Sequence, residues 1–146
     1  MRDRVVVVLT ASCLLLSGCT LFAPRFDPYV SEKTNTAYTE VAELIAAVEL
    51  GKYADPASFA GAVDRYASID GKLAAASQRT TLVDAPTGAS QTARDLLRRQ
   101  IERCRTQVRD LADTHKELGL APAAGATAGT MVSCDMAARA ADAMKR

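Results

Sequence analysis

The chain has 146 residues, 18 of them Lys or Arg and 17 Asp or Glu, which leaves room for a single domain and almost no net charge. Without a basic excess there is no electrostatic drive toward nucleic acid or an anionic membrane surface. Four Tyr, three Phe and no Trp, set in an Ala-rich background, argue against a sheet and for a thin, aliphatic, helical core.

Arg2 and Arg4 form a charged start, and Val5 to Leu16 is apolar apart from Thr10 and Ser12. This is the layout of an export signal, since a transmembrane helix needs about 20 apolar residues and this run stops well short. Leu16-Ser17-Gly18-Cys19 follows at its end and resembles the lipobox of bacterial lipoproteins, with all four positions matching. Small residues suit a peptidase that must accept extended backbone, and a thiol is the group nucleophilic enough to take the lipid.

The resemblance implies cleavage between Gly18 and Cys19, diacylglycerol on the Cys19 thiol, and acylation of the new amino terminus with chains such as palmitate. Two or three chains give stable anchoring where one gives only marginal binding. Thr20 stands where an Asp in that family often retains the protein in the inner membrane, so the resemblance favours the outer membrane, facing the periplasm, in a Gram-negative cell. Of the 18 basic and 17 acidic side chains, Arg2, Arg4 and Asp3 leave with the signal, so 16 of each remain. The chain then divides into a signal peptide at 1–18, a lipidated start and tether at 19–28, and a helical domain at 29–146. Pro24 and Pro28 mark the tether as irregular.

From Tyr29 to Leu50, Val30, Thr34, Ala37, Val41, Leu44 and Val48 recur at spacings of three and four, and Gly51 reads as a stop. Asp55-Pro56 predicts the cap and first position of a second helix, with Phe59, Val63, Tyr66, Ile69, Leu73 and Ala76 as its apolar stripe. Gln78 to Ala89 reads as a polar connection. The clearest pattern runs from Ser90 to Leu118, where Leu97, Ile101, Cys104, Val108, Leu111, His115 and Leu118 alternate spacings of four and three before Gly119 and Pro122. Ala121 to Thr130 is a low-complexity stretch expected as a flexible loop. A short Ala-rich helix from Thr130 to about Met144 completes the chain. One-sided stripes must be buried against each other, which predicts an all-α antiparallel bundle of three to four helices, the last of them loose in the three-helix version.

Cys13 leaves with the signal and Cys19 takes lipid, so Cys104 and Cys134 remain as a pair in an exported, oxidising compartment. A disulfide is the natural reading, with two buried thiols as the alternative. His115, the single histidine, lies on the apolar side of its helix without the Glu-x-x-His or His-x-x-x-His spacing a metal needs. Neither C-x-x-C-H, a nucleophile elbow, Ser-x-x-Lys nor a phosphate-cradling glycine loop occurs, so no catalytic residue, metal or cofactor is expected. The arginines at 94, 98, 99, 103, 105 and 109 interleave with Asp95, Glu102 and Asp110 and read as a solvated face.

These features predict a membrane-anchored, non-catalytic module that binds another envelope protein or supports an envelope assembly. A small-ligand carrier or sensor is the alternative, with Tyr38, Tyr66 or His115 as polar groups in an apolar pocket.

Overall fold

The computed structural model describes residues 25–122 and 125–145. The signal, Cys13, Cys19 and most of the tether lie outside the described residues. Four α-helices and one 3-10 helix pack together, and no strand occurs among the described residues. They are α1 (Pro28–Glu49), the 3-10 helix (Pro56–Gly61), α2 (Val63–Thr80), α3 (Gly88–Leu118) and α4 (Gly125–Ala143). Each α-helix packs against two others, closing the ring α1-α2-α3-α4.

Side-chain pairs fix the directions. Arg79 at the end of α2 bonds Asp27 at the start of α1, at 2.8 Å. Asp70 on α2 takes Arg105 and Arg109 of α3, and Thr130 of α4 donates to the Gln107 carbonyl of α3. Ser31 on the first turn of α1 reaches Asp142 at the end of α4. Every neighbouring pair is therefore antiparallel, and the bundle runs up, down, up, down.

Asp27 caps α1 by accepting from the Tyr29 and Val30 amides, and Pro28 occupies the first turn, where its missing N–H costs nothing. All six stripe residues of α1, Val30 through Val48, are buried, as are Leu97 through His115 of α3. Leu118, the last residue of α3 before the turn at Gly119, departs from that stripe and is exposed. Thr87 and Ser90 close a reciprocal cap at the start of α3.

Two expectations are corrected. Asp55-Pro56 caps the short 3-10 helix, not an α-helix, and α2 begins at Val63, whose side chain is exposed. The 3-10 turn swings Ser58 and Phe59 across the end of α3, a geometry a continuous helix would not allow. The small-residue stretch expected as a loop up to Thr130 is helical from Gly125. Thr127 and Thr130 are buried there, and Thr130 bonds both the Ala126 and Gln107 carbonyls. Among the described residues, no helix is long and apolar enough to cross a membrane.

Candidate functional site

At the end of the bundle away from Asp27, the last turns of α3 meet the start of α2 and the 3-10 helix around His115. Its side chain is fully buried. Tyr53, Phe59 and Tyr66 surround the imidazole with ring centroids 5.0, 5.5 and 5.9 Å away. Both ring nitrogens are engaged, Nε2 with Ser58 Oγ at 2.9 Å and Nδ1 with Tyr66 Oη at 3.2 Å. Ser58 donates its own proton to the Asp55 carbonyl, so it must accept at Nε2–H. Nδ1 is then the acceptor for the Tyr66 hydroxyl. The result is one directed chain, from Tyr66 through His115 and Ser58 to backbone.

That directionality decides the chemistry. A neutral imidazole with one nitrogen donating and the other accepting has no lone pair left for a metal or ligand. Nor is it placed as a base for Ser58, whose hydroxyl donates to the Asp55 carbonyl. Burial pushes the Tyr66 hydroxyl pKa up, with the nearby Tyr53 adding to the rise. Desolvation also pushes the His115 pKa below its ordinary 6.5. The cluster bolts the 3-10 helix, α2 and α3 together.

The His115 shift has a pH consequence. Below pH 6.5 the unfolded chain binds a proton at His115 that the folded chain resists, so stability is complete above 6.5 and declines as pH falls toward the lowered native value. The slope reaches at most about 1.4 kcal/mol per pH unit for one proton. Asp70 and Asp142 have lowered values too, but they act only below 3.8. Urea unfolding between pH 7.5 and 5, paired with an NMR titration of this single imidazole, should show stability dropping as pH falls and the folded ring titrating below its ordinary 6.5. A flat stability profile, or a ring that titrates at 6.5 or above, would refute the assignment.

Elsewhere the structure joins Cys104 and Cys134 in a disulfide with Cα atoms 4.6 Å apart, linking the middle of α3 to the middle of α4. The arginine face of α3 is partly redirected from the solvated role expected of it. Arg105 and Arg109 both hold Asp70 of α2, while Arg98, Arg99 and Arg103 are exposed. Burial alone would raise the Asp70 carboxyl, but hydrogen bonds from Arg109 and Arg105 outweigh it and hold the pKa below the usual value. Tyr38 is half-buried against the core.

Structure thus brings two of the three polar candidates, His115 and Tyr66, together and engages them with each other. Sequence reasoning missed Tyr53 and Ser58. Ser58 lies 57 residues from His115, and no local pattern announces that pairing. Comparison with known proteins returns no match for this chain among protein-family models, curated proteins or solved structures.

Proposed function

We propose that this chain is a lipid-tethered, non-catalytic helical module of a bacterial cell envelope that binds another envelope protein. The observation that carries the reading is Leu16-Ser17-Gly18-Cys19 at the end of an apolar run, with the folded bundle starting only nine residues beyond the cysteine, at Pro28. Two features support it. The Cys104–Cys134 bond fits an exported, oxidising compartment. The polar atoms of the His115 cluster are engaged internally, which removes the best candidates for a ligand pocket. Thr20 favours an outer-membrane address facing the periplasm.

Intact mass spectrometry of the membrane fraction should give residues 19–146 plus acyl chains, with Cys19→Ala yielding unlipidated protein that leaves the membrane. Crosslinking in intact cells should then trap the module with a second envelope protein. An unlipidated wild-type mass would end the anchor reading, and a lone monomer under varied crosslinking conditions would end the partner reading.

A further inference from the structure

Cys19 precedes Arg25 by six residues, a span of roughly 20 Å at full extension. The Arg25 amide bonds the Asp84 carbonyl at 3.0 Å, so the tether joins the bundle beside the turn between α2 and α3. Around that junction Phe26, Tyr29 and Leu82 are 37%, 41% and 73% exposed. Lys33 lies 5.3 Å from the Tyr29 ring centroid and Lys145 lies 6.0 Å from that of Phe26. A cleft of about 510 Å³ between α1 and α2 is lined by Tyr29, Ala75 and Leu82, with Gln78 and Arg79 as its polar members.

Aromatic rings and an aliphatic side chain beside long cationic stems are the residue types that settle at a membrane interface, rings at headgroup level and charges reaching phosphate. We propose that this end of the bundle rests in the headgroup layer of the bilayer, with Phe26, Tyr29 and Leu82 inserted. The inference rests on the lipid-anchor reading of Cys19. A tether this short keeps the patch at high effective concentration over the lipid, so weak individual contacts suffice. The contact is mainly apolar, because Arg79 pairs with Asp27, Lys33 with Glu32 and Lys145 with Asp142. It therefore withstands salt, unlike a polybasic patch.

The chain has no Trp, so one introduced Trp reports its surroundings alone. Leu82→Trp and Tyr29→Trp would each be made in the full chain, expressed in lipidating cells and reconstituted into phosphatidylcholine vesicles carrying acyl-brominated lipid. Leu118→Trp is the control, 74% exposed and roughly 45 Å along α3 from the membrane end. The first two variants should lose most of their emission to bromine, equally at low and high salt, while Leu118→Trp keeps its own. Variants that float with the vesicles yet stay bright at positions 82 and 29 would overturn docking and leave the anchor standing. Quenching of all three alike would mean a bundle lying on its side and would also overturn it. Shielding before vesicles are added, with a doubled mass, would assign the patch to a second copy and overturn it. Protein that does not float at all would refute the anchor, and docking with it.

Discussion

Gly119→Ala should lower the unfolding free energy by about 4 kcal/mol, combining a backbone conformation costing roughly 1–3 kcal/mol for any side chain with an overpacking cost of similar size. Gly119 sits at φ 74°, ψ 172°, a region open essentially to glycine. A Cβ there would stand 2.1 Å from the Ala54 carbonyl oxygen and 2.7 Å from its carbon. Both are backbone atoms, and the segment cannot retreat freely because the Tyr53 carbonyl accepts from the Leu120 amide at 2.6 Å. Tyr53 and Leu120 are themselves buried. Gly51 provides the control, since its φ of 76° is also positive but a Cβ there meets nothing within 4 Å. Gly51→Ala should cost only about 1 kcal/mol. Thermal denaturation of both variants measures the difference, and equal midpoints would show that the close approach to Ala54 is not rigid.

Breaking the disulfide should be nearly as damaging. Cys104 and Cys134 are 30 residues apart, and in the chain-entropy model a loop of that size stabilises by about 3–4 kcal/mol. The loss should fall unevenly. Buried positions of α4 are Thr127, Thr130, Ser133, Cys134, Ala137, Ala138 and Ala141, with no Leu, Ile or aromatic among them. Such small side chains remove little apolar area from water, so α4 depends on its covalent link more than the other helices do. Hydrogen exchange of Cys104→Ala/Cys134→Ala should show α4 amides losing protection first, with α1 amides protected until global unfolding. Uniform loss across all four helices, or a melting point unchanged by reductant, would contradict this account.

The same composition explains what was legible in the sequence and what was not. Stripes in α1 and α3 were readable because Val, Leu and Ile at helical spacing have one physical use, and the buried faces match them at every stripe position but Leu118. The start of α4 was hidden because Gly, Ala and Thr carry the same weak signal in a loop as in a helix packed tightly on a neighbour. Only the approach of α3 decides between the two, shown at Gly129, where a Cβ would come within 3.2 Å of Gln107 Oε1. Asp55-Pro56 was a sound capping signal that could not say which helix it capped. The 3-10 turn after it is favoured by contacts with His115, far away in sequence. His115 was correctly placed on an apolar face, but its partners come from separate elements and no spacing rule reaches them.

Four antiparallel helices bring Lys145 back beside Phe26. For a chain held at Cys19, a pull on its carboxyl-terminal side would act across the same end of the bundle and peel α1 from α4 one contact at a time. Ser31 and Asn35 against Asp142 would be first to part. A partner gripping the opposite end, near Leu50 or Leu118, would instead load α1 along its length and strain all its packing at once. A chain held at Cys19 would thus be mechanically directional, compliant toward forces at the end that carries Phe26 and Lys145 and stiff toward those applied at the opposite end.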